Sequence, residues 1–259
     1  PKLVRRVAAD TDVRRIRFIT SHPKDLSDNL IVCFADEPKL MDHIHLPLQS
    51  GSDRVLKQMF RRYTYDHYRE RVIRLRQASP DIALTTDLIV GFPTETHDEY
   101  LQTLEAASEI RFDSAFMFRY SVRSGTWAAK NLIDDVPENE KLERLNRLIN
   151  LQKDISLEVN QREVGKTFSV LVDGTSRRDD TVWKGKTEGN KTILFTDDNV
   201  AAGDIVAVRV KSADSWTLHG IVCKIFFNMC PHIFGWQTKK MRGQGVNVIM
   251  VNIISLIAY

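Results

Sequence analysis

The residues of this 259-residue chain whose types could do chemistry collect at the ends of apolar runs. His43-Ile-His-Leu-Pro-Leu48 alternates as a strand does, then stops in Gln49-Ser50-Gly51-Ser52, which is polar, uncharged and centred on a glycine. Thr20-Ser21-His22 closes an earlier run. Asp87 sits inside an apolar run that ends in Gly91-Phe-Pro93, and Arg119-Tyr120-Ser121, with Arg123, closes a fourth. Together they supply neutral donors and acceptors, a few charges and two glycines. Such a set suits a polar ligand lying across strand tips, with backbone groups engaged where glycine removes the side chain. Each piece also has a plain structural reading. Gln49-Ser50-Gly51-Ser52 reads equally as a turn and helix N-cap, His43 and His45 as structural histidines sharing one strand face, and Arg61-Arg62 and the arginines between 69 and 76 as solvated helix faces. His22 fits either reading. Asp87 is assigned to the site, because a carboxylate in a buried strand needs a partner.

The elements that must position these groups follow from hydrophobic periodicity. Strands are expected at residues 15–20, 43–48, 82–90 and 113–120. The third is so continuously apolar that burial on both faces is expected. Helices are expected from Asp25 or Ser27 to about Ala35, from Ser52-Asp53, from Tyr65 to Ala78, and from Thr94 or Thr96 to about Ile110. Strands alternating with helices imply parallel pairing with right-handed crossovers, and in a parallel barrel the C-terminal strand ends face the ligand. Pro137-Glu138 opens a long amphipathic helix. Beyond it, short strands at 167–172, 192–195, 205–210 and 216–222, separated by Gly, Asp and Asn turns, suggest a small antiparallel barrel. The fold class is therefore α/β, a partial parallel barrel over 1–136, a linker helix over 137–157, a small β-barrel over 158–222 and an atypical, possibly unfolded extension over 223–259.

Composition narrows the functional classes. Residues 1–157 carry 24 basic and 24 acidic side chains, 158–222 carry 9 and 10, and 223–259 carry four and none, so the net charge of +3 lies in the last stretch. Charge alone makes no case for nucleic-acid binding by the body of the protein. Cys33, Cys223 and Cys230 are too few and too scattered for a disulfide framework, which points to a reducing, cytoplasmic location, and their spacing is not that of a zinc site. The apolar stretch 246–259 is shorter than the about 20 residues that span a bilayer, so no membrane partner is expected. Residues 1–16 lack the apolar centre of a signal peptide, and a start at Pro1 suggests a piece of a longer chain.

Several segments resemble one family in register: TSHPKDLSDNLI (20–31), HIHLPLQSGSDRVLKQM (43–59), TTDLIVGFPTET (85–96), FRYSVRSGTWAAK (118–130) and ISLEVNQREVGK (155–166). They are similar to the bacterial tRNA methylthiotransferases from about Val4 to Val222, and SHPKD at 21–25 points to the isopentenyladenosine branch. The resemblance implies a radical S-adenosylmethionine (SAM) barrel of which this is the C-terminal portion, followed by a TRAM domain, an RNA-binding β-barrel. It implies a transferase that adds a methylthio group to carbon 2 of isopentenyladenosine beside the tRNA anticodon, using SAM and two 4Fe-4S clusters, with tRNA, an electron donor and a sulfur source as partners. The alternatives are a methylthiotransferase for threonylcarbamoyladenosine or a ribosomal protein, a non-catalytic RNA-binding remnant, and, without the family, an aldolase-like barrel with Asp87 or His22 as base.

Carried over position by position, the resemblance assigns SAM binding to Ser21, Gln49, Ser50, Asp87, Gly91 and Pro93, with Arg119 and Tyr120 alongside. Arg123, Gly125 and Thr126 would face the substrate adenosine, and Arg177, Arg178, Lys184, Lys186, Lys191 and Trp216 would contact RNA. No catalytic residue is assigned. The family's CxxxCxxC motif is absent here, so no metal ligands are expected in this chain and the polypeptide alone is expected to be inactive. Thr94 stands where the family usually has glycine, and Val122 and Trp127 where it has proline. Thr94 is expected to stiffen its turn.

Overall fold

The structure is a computed structural model that describes residues 1–19, 22–223 and 248–252. Helix α1 (Lys2–Asp10) leads into strand β1 (Arg15–Ile19), and a single 3-10 turn (Pro23–Asp25) precedes α2 (Asp28–Asp36). The order continues β2 (His43–His45), α3 (Asp53–Gln58), α4 (Tyr65–Ala78), β3 (Ala83–Val90), α5 (His97–Ile110), β4 (Ser114–Arg119), α6 (Trp127–Asn131) and the 24-residue α7 (Glu138–Gln161). Side-chain oxygens of Ser27, Ser52, Thr64, Thr96 and Thr126 accept N–H groups of the first turns of α2 to α6, and Thr96 with Glu99 forms a reciprocal capping box.

Strands β2, β3 and β4 pair in parallel, with Leu84 opposite Ile44 and Val90 opposite Arg119. Past His45 the backbone stays on the ladder, since Leu46 and Gln49 donate to the carbonyls of Thr85 and Asp87. Strand β1 meets the same sheet through Ile16 and Leu40. Its other side pairs in parallel with β10 (Val248–Asn252), a strand of the C-terminal stretch that shows no periodic signal in the sequence. Leu46, Leu48, Leu56, Tyr68, Leu84, Leu88 and Phe112 pack one continuous core between sheet and helices.

One expectation is corrected here. Burial along β3 alternates, with Leu84, Thr86, Leu88 and Val90 buried and Thr85, Asp87 and Ile89 half-buried. Helices cover only one face of the sheet. The other face is concave and open, and the site lies on it.

The second unit is a closed barrel of β5 (Thr167–Thr175), β6 (Trp183–Lys186), β7 (Thr192–Phe195), β9 (Thr217–Val222) and β8 (Ile205–Ala213), in that spatial order. Four of its pairings are antiparallel, but β7 and β9 run parallel. A ring of five strands cannot alternate in direction at every neighbour, so one parallel pair is obligatory. Strand β6 escaped the sequence reading because Trp-Lys-Gly-Lys carries no apolar alternation. Gly185 is required there by close approach, since a Cβ would lie 2.4 Å from Val170 Cγ1 and 2.6 Å from the Leu171 carbonyl oxygen.

The two units are fastened together. Arg15, almost wholly buried, donates to the Ser169 carbonyl and hydroxyl (2.8 and 2.9 Å) and to the Lys186 carbonyl (3.2 Å). Lys191 Nζ pairs with Asp113 at 2.6 Å, and Asn160 near the end of α7 donates to the Asp214 carbonyl. No described helix is long and apolar enough to cross a membrane.

Candidate functional site

At the C-terminal ends of β2, β3 and β4 lies a cavity of about 440 Å³, within the size range of small-molecule sites. Gln49, Asp87, Ile89, Phe118, Arg119 and Tyr120 form its floor, and Gln58, Phe60, Arg123, Thr126 and Trp127 form its walls. Parallel pairing produces this gathering, because register places Asp87 beside Phe116 and the bridge at Leu88 sets Gln49 next to it. Gln49 is buried with a φ of +72°, a conformation that costs a non-glycine residue of order 1 kcal/mol. Its N–H donates to the Asp87 carbonyl and its carbonyl accepts from Ile89 (2.8 Å each), so the strained backbone is held by two hydrogen bonds to the end of β3.

Asp87 has a partner. Its Oδ2 lies 3.3 Å from His45 Nε2, His45 Nδ1 lies 3.0 Å from the Thr85 hydroxyl, and the same hydroxyl lies 3.2 Å from His43 Nε2. A carboxylate only accepts, so His45 Nε2 carries the proton. The Thr85 hydroxyl can then donate to His45 Nδ1 while accepting from His43 Nε2, which satisfies every group of the chain. Burial, then the positive charge of Arg17, pushes the His43 pKa down to about 3, in keeping with a neutral ring. Tyr120 packs edge-on against Phe92 (5.2 Å between centroids) with Lys141 Nζ 5.7 Å from its ring, and Arg119 Nε approaches Glu138 at 3.6 Å.

Other expected site residues sit differently. Ser50 is fully buried and faces α5, its hydroxyl 3.3 Å from that of Thr103. Gly51 is a glycine because a Cβ would lie 2.3 Å from the Gln102 carbonyl oxygen, so its close approach is to helix α5 and not to a ligand. Gly91 is likewise spoken for. It has φ +68°, its N–H donates to Glu95 at 2.6 Å, and the space of its absent Cβ holds the stem of Lys141. Pro93 is buried in the same turn, away from the cavity. Gly125 is exposed beside the cavity, Thr126 borders it while capping α6, and Ser21 lies outside the described residues. Thr94 has φ +67°, so this β-branched residue strains the turn where a glycine would not.

The turn from Gly91 to Glu95 is held from behind by Lys141 and Arg144 of α7, a clamp that sequence reasoning missed. Glu95, fully buried, accepts from Arg144 Nη1 at 2.8 Å, and Arg144 also contacts Glu140 and the Tyr100 ring. Lys141, 1% exposed, bridges Asp134 (2.7 Å) and Glu138 (2.9 Å). The available signal was two cations, three residues apart, on the apolar stripe of an amphipathic helix.

Next to the first cavity on the same sheet face, toward the N-terminal ends of the strands, a second cavity, also about 440 Å³, lies between the sheet and the β-barrel. It is bordered by Arg17, His43, His45, Thr85 and Phe116 from one side and by Lys186, Asn190, Lys191 and Trp216 from the other. Of the residues expected to contact RNA, Arg177 and Arg178 are exposed on the β5–β6 connection and Lys184 is half-buried on β6. Lys191, also expected to contact RNA, pairs with Asp113 and donates to the Asn160 side-chain oxygen. Lys186 donates to the Thr192 hydroxyl at 2.9 Å inside the cleft.

The residues fit one implied cofactor and not the other. Gln49, Asp87, Arg119 and Tyr120 offer the mixed donors and acceptors that a sulfonium nucleoside needs. A 4Fe-4S cluster needs thiolates. Among the described residues the cysteines are Cys33, buried in α2 with its Sγ 3.3 Å from the Asn29 carbonyl, and Cys223, and no group of three His, Cys, Asp or Glu side chains could hold a metal ion.

A family model described as the radical SAM superfamily matches residues 1–107, and one described as the TRAM domain matches 161–223. Proteins named tRNA-2-methylthio-N(6)-dimethylallyladenosine synthase are similar over most of the chain. The one from Phocaeicola vulgatus is 48% identical over 220 residues (85% of this chain, 48% of the relative), and that from Syntrophobacter fumaroxidans is 49% identical over 220 residues (85% and 48%). That from Acetivibrio thermocellus is 46% identical over 223 residues, covering 86% and 46%. A solved structure, coproporphyrinogen III oxidase (HemN) from Escherichia coli, described as a radical SAM enzyme, aligns with a TM-score of 0.46 at 15% identity over 77% of this chain and 46% of that one. The chain spans about half the length of the curated relatives it matches. The chain thus carries a segment matched by the radical SAM superfamily model followed by one matched by the TRAM model, and over most of its length it is similar to those synthases.

Proposed function

We propose that this chain is part of a radical SAM methylthiotransferase that modifies carbon 2 of N6-dimethylallyl (isopentenyl) adenosine beside the tRNA anticodon. The observation that carries the reading is the gathering of Gln49, Asp87, Arg119 and Tyr120 at one parallel-strand mouth, in a chain 46–49% identical to synthases of that name. When bound and cleaved, SAM supplies a 5′-deoxyadenosyl radical.

The chain's own contribution is binding and orientation. Gln49 presents its amide from a backbone fixed to β3 by two hydrogen bonds, and Asp87, oriented by His45, accepts hydrogen bonds. Arg119 and Tyr120 close one side, while Arg123 and Thr126 border the opening where the substrate adenosine would enter. Phe118, Phe60 and Trp127 supply apolar walls that exclude water from a reactive centre.

The cluster ligands, the electron donor and the sulfur source come from elsewhere, and the reaction runs in the cytoplasm. The polypeptide alone is inactive on this reading. Anaerobic incubation with iron and sulfide should leave it without a stoichiometric four-iron chromophore. Nucleoside mass spectrometry of tRNA from a strain deleted for the encoding gene tests the activity. Loss of the methylthiolated dimethylallyladenosine is expected; unchanged tRNA refutes the assignment. Loss of a methylthiolated threonylcarbamoyladenosine instead would move the chain to the other branch. Asp87→Asn and Gln49→Ala should weaken S-adenosylhomocysteine binding in equilibrium dialysis while leaving thermal stability near wild type.

A further inference from the structure

The second cavity has a chemistry that its position between two domains does not require. Phe116 is 62% exposed and Trp216 is 65% exposed, and both border this one cleft, one ring from each domain. Two open aromatic rings facing one cleft form an exposed apolar patch of the kind that marks an interaction site.

The charges of the lining do not cancel. Asp113 is neutralised by Lys191, and His45 is engaged by Asp87. Arg17 and Lys186 form no ion pair among the described residues, and Arg17 Nη1 is buried with no hydrogen-bond partner there. The acids that face them, Asp173 and Glu188, do not offset burial, which pulls the Arg17 pKa down to about 10 and that of Lys186 below its ordinary value. Two uncompensated cations, two open aromatic faces and the hydroxyl of Ser114 suit a flat, anionic ligand, and the volume is of small-molecule size.

We propose that the cleft between sheet and β-barrel binds one nucleotide of single-stranded RNA, its base against Phe116 and Trp216 and its phosphate toward Lys186 and Arg17. The proposal rests on the RNA-modifying reading and adds a second nucleotide position to it. The two cavities adjoin, since Asp87 borders the tip cavity and its partner His45 borders the cleft. Phe118 and Phe116, two residues apart on the same face of β4, belong one to each. An RNA strand whose adenosine occupies the tips would thus have a neighbouring nucleotide in the cleft.

The test is fluorescence anisotropy of the 259-residue chain with a fluorescein-labelled single-stranded oligoribonucleotide at two salt concentrations. Phe116→Ala and Trp216→Ala should each weaken binding about tenfold, because base–aromatic stacking is lost. Phe116→Tyr and Trp216→Phe, which keep a ring, should restore most of it. Lys186→Met should weaken binding and reduce the slope of affinity against salt by about one phosphate contact. Both aromatics are exposed, so unchanged melting temperatures are expected and certify the variants. Wild-type affinity in all three weakened variants, or no RNA binding by the chain, overturns the proposal. Failure here, with methylthiolated nucleoside still lost from the deletion strain, removes the cleft and leaves the enzyme assignment standing. Cleft-dependent RNA binding with unchanged tRNA does the reverse.

Discussion

Arg144→Met is the perturbation whose cost can be worked most directly from the structure. It removes the charged partner of Glu95, whose side chain is 0% exposed. Glu95 would keep only the Gly91 N–H on Oε2, since Oε1 already lacks a partner. Burial raises the Glu95 pKa even with Arg144 present, so without it the carboxyl takes up a proton on folding. At pH 7 that uptake costs at most about 1.4 kcal/mol for each of the roughly 2.5 pH units above its ordinary 4.5, an upper bound of about 3.5 kcal/mol from which the part the wild type already bears is subtracted. This agrees with the ~3–5 kcal/mol typical of orphaning one member of a buried pair. The lost contacts to Glu140 and Tyr100 add a smaller part that does not depend on pH in this way.

The sign of the pH dependence is what makes the test sharp. A raised carboxyl pKa means that the folded state binds more protons than the unfolded chain above pH 4.5. The destabilisation therefore shrinks as pH falls. At pH 5 the protonation cost is below about 1 kcal/mol, and the total loss should drop to about 1–2 kcal/mol. Urea unfolding followed by circular dichroism at pH 7 and pH 5 measures both values, read as midpoint shifts at constant slope. Adding Glu95→Gln should remove the pH-dependent part. A loss under about 1 kcal/mol at pH 7, or the same loss at both pH values, would refute the argument that Arg144 is needed to compensate a buried charge.

The remaining expectations are simpler. Gly51→Ala forces a Cβ to within 2.3 Å of the Gln102 carbonyl oxygen, backbone against backbone, and should cost more than about 3 kcal/mol, seen as a large drop in melting temperature. Thr94→Gly relieves a φ of +67° but loses hydrogen bonds to Gln58 and Arg54, so it should change stability by no more than about 1 kcal/mol, whereas Thr94→Val should destabilise clearly. His43, with its pKa held down to about 3, should show no imidazole titration by NMR between pH 5 and 8. Because the unfolded chain protonates that ring at about 6.5 and the folded one resists, its contribution falls by about 2 kcal/mol on going from pH 6.5 to 5, and His43→Gln should flatten that part of the stability profile.

The sequence by itself determined most elements of the first unit and the motifs at their ends. The helix start at Ser52, the starts narrowed to Asp25 or Ser27 and to Thr94 or Thr96, the span of α4 and the strand–helix alternation all rest on local physics, capping oxygens and apolar periodicity, and so could be read along the chain; the structure selects Ser27 and Thr96. The presence of Gln49, Asp87, Arg119 and Tyr120 at strand ends was legible for the same reason. Which of the strand-end groups face the cavity was decided only by tertiary structure. Ser50, Gly51 and Gly91 have the same local signature as Gln49, yet they meet α5 and α7, elements up to about 50 residues away that no local pattern announces. The partner of Asp87, the clamp of Lys141 and Arg144, and the aromatic cleft between the two domains likewise exist only when distant segments are brought into register. Side-chain direction in a sheet alternates at every residue, so a site on one face depends on which neighbours cover the other.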